Sequence, residues 1–155
     1  MTATPETPGA AGTDETLIGI LLDQHQSIKQ QFAAVRAADG EKKKQLFDEL
    51  CTYLTAHETD EQTVLRPLST SAAGAEVAEA RIEEERVAAG TIELLQGMDA
   101  GTEEFETAFE ELENAVLAHA ENEEREEFPA VAAAYSREEL TEQGARLRTV
   151  EGSTP

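Results

Sequence analysis

Two of the chain's three histidines open the same phrase: His57, then Glu61 four residues on and Pro67 ten residues on, and again His119, Glu123 and Pro129. On a helix, side chains four apart share a face with their Cβ atoms about 5–6 Å apart. Each pair can therefore bring one imidazole nitrogen and one carboxylate to a common point. Two such pairs facing one another supply a mixed nitrogen and oxygen donor set, the chemistry of a cation site. The third histidine, His25, has Leu22, Ile28, Phe32 and Val35 at helical steps around it. An imidazole within an apolar stripe is costly to bury unless something binds it.

The phrase extends into a longer register. Phe47 precedes His57 by ten residues, as Phe109 precedes His119, and Leu50 corresponds to Leu112. Agreement at five positions reads as internal duplication. A remaining helix, which has no histidine, should contribute a carboxylate. Glu85 has Ile82, Ala88, Ile92 and Leu95 in the phase that His25 has with its own apolar neighbours, whereas Glu84 meets Arg81 and Thr91 and Glu83 meets Ala80 and Arg86, so both are expected to face water. A glutamate aimed at a core requires a partner, and a cation is the natural one.

The expected donors are His25, His57, Glu61, Glu85, His119 and Glu123. Six ligands exceed the need of a tetrahedral zinc site and suggest two metal ions bridged by carboxylates, with iron ahead of manganese or zinc. Ferritin-like sites place a glutamate three residues before the histidine, the reverse of the order found here. Tyr53, one turn before His57, is a candidate catalytic residue that could hydrogen-bond a reacting oxygen species. Cys51 points away from the His57 stripe and reads as a small buried thiol.

These donors need long helices to hold them. The pattern predicts an all-α chain: a loose tail over residues 1–13, a four-helix domain over 14–135, a short C-terminal helix over 136–148 and a final tail over 149–155. Thr13 or Asp14 is expected to cap helix one, with Gly40 ending it. Helix two should run from near Glu41, carry Leu46, Leu50, Tyr53, Leu54, His57 and Glu61, and break before Pro67. "STSAAGA" reads as a turn, Ala75 to Gln96 as helix three and Thr102 as the cap of helix four. Ser136 and Glu139 form a capping box for the last helix. Four long helices with short connections pack most simply as an antiparallel up-down bundle.

Composition narrows the partners. The 155 residues carry a formal charge of -21 at pH 7, which repels nucleic acid and anionic membranes. With 39% hydrophobic residues and only 5% aromatics, the core should rest mainly on Leu, Val, Ile and Ala. One cysteine, no apolar run of membrane length and no leader-like N-terminus predict a reduced, cytoplasmic setting. The expected partners are small molecules.

At these residues the sequence resembles the hemerythrin-like HHE family, which has a His on helix one, H-x-x-x-E on helices two and four, and a His on helix three. The resemblance spans roughly residues 17–131. It implies a di-iron centre in an up-down four-helix bundle, with Glu61 and Glu123 bridging, His25 and His57 terminal on one iron and His119 on the other. Helix three departs from the pattern, since "EEERV" puts Glu85 where the family has His. A third carboxylate favours the harder, more charged ferric ion. The expected function is therefore action on hydrogen peroxide or dioxygen, catalase-like or peroxidase-like. The alternatives are a reversible O2 or NO binding or sensing module, or an iron buffer.

Overall fold

The Thr16 hydroxyl accepts the backbone N–H of Gly19 at 3.2 Å and opens the first helix, α1 (Leu17–Ala37). This computed structural model describes residues 15–153, and side chains as far as residue 148. Thr13 and Asp14, the expected caps, lie outside the described residues. α1 ends through Ala38 in extended conformation, and α2 (Gly40–Asp60) begins at Gly40 with φ +58, a value that favours glycine.

Helix two does not break before Pro67. Glu61–Leu65 form a π turn, closed by the Arg66 N–H on the Glu61 carbonyl, and the helix continues as α3 (Arg66–Ala73). The extra residue in the wider turn leaves Pro67 in the first positions of α3, where a missing N–H costs nothing. The expected "STSAAGA" turn shrinks accordingly to Gly74, at φ +98. The second half repeats the device. After α4 (Ala75–Gln96), Thr102 caps α5 (Glu103–Asn122), the π turn Glu123–Glu127 follows, and α6 (Phe128–Ala134) carries Pro129 near its start. Ser136 and Glu139 exchange hydrogen bonds of 3.0 and 3.1 Å, the expected capping box, at the head of α7 (Arg137–Ser153). α7 extends beyond the predicted end at residue 148.

The fold is all-α, with no strand among the described residues, and its bundle pairs α1 with α2 and α4 with α5. No helix of the described residues is long and apolar enough to cross a membrane.

The core comes in two apolar blocks. One contains Phe32, Phe47, Phe105 and Phe109 with Ile28, Leu50, Leu54, Leu95 and Leu112. Phe47 meets Phe105 edge-on at 5.0 Å between ring centres, and Phe105 stacks on Phe109 at 5.7 Å. Four of the five phenylalanines thus gather in one block, so the core is more aromatic than its composition suggests. Leu22 and Ile82, expected in apolar stripes, instead lie exposed.

The second block contains Leu17, Leu21, Val64, Leu65, Phe128, Val131, Leu140 and Leu147, and α7 lies over it. Gly144 lets α7 approach: a Cβ there would run into the Glu15 carbonyl oxygen and meet Leu17 N at 3.2 Å. His25, His57, Glu61, His119 and Glu123 fall between the two blocks in sequence, and Glu85 lies one turn before Ala88 of the first block on α4.

Candidate metal centre

His57 and Glu61 occupy the last turn of α2 and the first residue of its π turn, and His119 and Glu123 repeat that placement at the end of α5. π turns inside α-helices concentrate at functional sites. His25 enters from α1 and Glu85 from α4. All six expected donors are buried, with Glu61 and Glu123 at 0% exposure.

Their donor atoms form two groups that share two residues. His25, His57, Glu61 and Glu123 make the first; Glu61, Glu85, His119 and Glu123 make the second; within each, the donor atoms lie within 4.8 Å of one another. Glu61 directs Oε2 toward His57 Nε2 at 3.1 Å and His25 Nε2 at 3.6 Å, and Oε1 toward His119 Nε2 at 3.7 Å. Glu123 directs Oε1 toward His25 Nε2 at 3.2 Å and Oε2 toward His119 Nε2 at 3.4 Å. Each carboxylate thus offers one oxygen to each group, as a bridge between two cations requires.

The chemistry of these atoms fits metal ions. His25 Nε2, both oxygens of Glu61, Glu85 Oε1, His119 Nε2 and Glu123 Oε1 are buried without a hydrogen bond. They lie within ion-pair reach of one another but are not aligned to share hydrogens. Clustered orphans of this kind are costly unless a cation satisfies them.

The other nitrogen of each imidazole is held from outside. His25 Nδ1 donates to Glu124 Oε2 at 2.7 Å, His57 Nδ1 to Gln24 Oε1 at 2.5 Å and His119 Nδ1 to Glu84 Oε1 at 2.8 Å. Such outer partners fix the tautomer that leaves Nε2 free for a metal. Gln24 is steadied in turn by the Asp60 carboxylate at 3.3 Å, and Glu84 by Arg81 and Asn122. Glu84, expected to face water, is the anchor of His119. Phe128 stacks on the His25 ring with 5.7 Å between centres.

Electrostatics shows how much positive charge the centre attracts. Burial works to lower the pKa of His25, but the carboxylates of Glu123, Glu124 and Glu61 outweigh it and push the imidazole up to about 11. His119 is likewise opposed by burial and raised by Glu61, Glu85 and Glu123 to about 12. Burial favours the neutral form of Glu61, yet His57, His119 and His25 hold its carboxyl well below the usual range. Glu123 is pushed up to about 7 by burial and by the charge of Glu61.

Three participants escaped sequence reasoning. Arg66 is buried, donating through both NH groups: NH1 to the two Glu127 oxygens at 2.6 Å, and NH2 to Glu85 Oε2 at 2.8 Å and Glu123 Oε2 at 3.2 Å. Glu127 is the second, at 0% exposure. Glu58 is the third: it lines a cavity of about 10 Å³ beside the centre with His25, Leu54, Glu85, Ala88 and Val116, and burial together with Glu85 pushes its carboxyl up to about 7. The clue to Arg66 was its place nine residues after His57, matching Phe128 nine after His119. Tyr53 is half-buried against the aromatic block and is not among the residues lining that cavity.

Comparison with known proteins agrees with this geometry. The family model described as the hemerythrin HHE cation binding domain matches residues 16–131. The crystal structure of a hemerythrin HHE cation binding domain-containing protein from Mycobacterium kansasii is similar at 25% sequence identity, with a TM-score of 0.78 over 89% of this chain and 88% of that one. No curated protein matches the chain.

Proposed function

The chain belongs to the hemerythrin HHE cation-binding domain family, and from that premise we propose that it holds two iron ions and acts on hydrogen peroxide or dioxygen, above all as a catalase-like enzyme. The observation that carries this reading is the third carboxylate. Glu85 stands in the second donor group beside Glu61 and Glu123, so His119 is the lone imidazole there. An oxygen-rich donor set favours the more highly charged ion and disfavours the accessible diferrous form that reversible oxygen carriage needs. Bound iron supplies a Lewis acid and a redox couple.

The chain's own groups set the remaining terms. The cavity beside the centre has room for about one water-sized molecule. Ile28, Leu54, Ala88 and Val116 give it apolar walls, which exclude bulk solvent and large reductants. In disproportionation one peroxide is oxidised to O2 and releases two protons, and a second takes up those protons and the two electrons to give two waters. The Glu58 carboxyl lies on the cavity wall, where burial favours its protonated form. It is placed to hold one of those protons between the two half-reactions.

An oxygen electrode tests the proposal. Iron-loaded protein should evolve O2 from peroxide steadily, and Glu61→Ala should abolish it. Absence of O2 evolution, with a reversible spectral change as O2 or NO is added and removed, would replace this reading with a gas-binding module. Absence of both would leave an iron buffer.

A further inference from the structure

The two donor groups are unequal, and Arg66 makes them so. Its NH2 approaches Glu85 at Oε2 (2.8 Å), Glu123 at Oε2 (3.2 Å) and Glu61 at Oε1 (3.8 Å). These are the three oxygens that surround His119 Nε2, at 3.5, 3.4 and 3.7 Å. The nearest approaches of His25 and His57 are to the opposite oxygens, Glu61 Oε2 and Glu123 Oε1. The guanidinium therefore faces the second group from within, while Glu127 grips its other NH with two bonds. A planar, permanently charged fork suits this role better than an ammonium, since it can bind several carboxylates at once without losing its proton.

We propose that Arg66 is a built-in counter-cation of the second donor group, competing there with the incoming metal, so that the two positions load in order: the His25/His57 position first, and the His119/Glu85 position second and more weakly. This inference rests on the two-cation reading above. Before metal enters, the guanidinium neutralises carboxylates that would otherwise repel one another across a buried space. Entry of the second cation must loosen Arg66 from Glu85 and Glu123 and place a metal beside a fixed positive charge. Glu127 sets the strength of that competition by dividing the guanidinium's attraction.

Calorimetric titration of the metal-free protein with cobalt(II) alone, followed in parallel by visible absorption, tests this directly. Wild-type protein should take up two equivalents in two events, the second weaker by about tenfold or more. Arg66→Met combined with Glu127→Leu removes the guanidinium together with its bidentate partner, leaving Glu61, Glu85 and Glu123 to face His119 alone. It should bring the events within about threefold of each other. Glu127→Gln alone concentrates the guanidinium on Glu61, Glu85 and Glu123, and should weaken the second event about tenfold further. That opposite sign separates competition from mere loss of structure, and it decides the matter if the double variant does not fold. Two equal events in the wild type, or an unchanged separation in both variants, would overturn the inference and leave the two-cation reading standing. Uptake of no more than one equivalent would overturn that reading and the inference together.

Discussion

Glu61 and Glu123 hold equivalent places in the two halves of the chain, each the first residue of a π turn, and each divides its oxygens between the same two sets of imidazoles. Neither oxygen of Glu61 has a hydrogen bond. Glu61→Ala should therefore disable both positions, dropping bound metal from two equivalents to below one by elemental analysis. It also strands His25, His57 and His119 without their shared anion. Breaking one side of a buried charged cluster costs about 3–5 kcal/mol, which should appear in a denaturant titration of the metal-free protein. His57→Ala should remove one equivalent and spare the other.

Metal uptake should release protons. His25 and His119 are held protonated to about 11 and 12 in the metal-free protein, chiefly because neighbouring carboxylates overcome the effect of burial. A cation must displace both protons, so affinity should rise with pH throughout the neutral range, with about two protons released per metal pair. Calorimetry in buffers of different ionisation enthalpy measures that number. Release of none would mean that the imidazoles are neutral before binding.

The metal-free protein should also respond to Glu58. Its folded pKa of about 7 lies above the ordinary 4.5, through burial first and the charge of Glu85 second. The native state thus binds this proton more tightly than the unfolded chain, so the associated stability is present below about pH 4.5 and lost as pH rises through 7. Glu58→Gln should melt above the wild type at pH 8 by roughly 2–4 °C and lose that advantage by pH 4. Parallel melting curves at the two pH values would contradict the assignment.

Outer partners should tune one position at a time. Gln24 accepts from His57 Nδ1, whereas the Nδ1 of His119 is held by Glu84. Gln24→Leu should weaken the first metal by about 10–100-fold and leave the second near its wild-type affinity. Equal weakening of both would mean that Gln24 supports the fold as a whole.

The clustered candidate donors were legible because their geometry is local. His57 with Glu61 and His119 with Glu123 lie four residues apart, and helical periodicity places such pairs on one face whatever surrounds them. Glu85 was legible by the same periodicity, through its phase with Ala88, Ile92 and Leu95. The path of the helices beyond the prolines was not. Proline argues for a break when the backbone is assumed to be α-helical, and nothing in "EQTVLRP" or "EEREEFP" announces the π turn that accommodates the ring.

What the sequence determined by itself was the class of fold and which His and Glu residues could gather at one point, because side-chain type and a 3.6-residue period suffice for both. What only the tertiary structure decided was the inequality of the two halves. In an ideal α-helix, at 100° per residue, Arg66 lies about 180° around from His57 and points away from the centre. The π turn shifts that register, seats the Arg66 N–H over the Glu61 carbonyl and turns the guanidinium inward, where Glu85 and Glu127 arrive from helices far along the chain to meet it. Long-range charge pairing of this kind has no period to read.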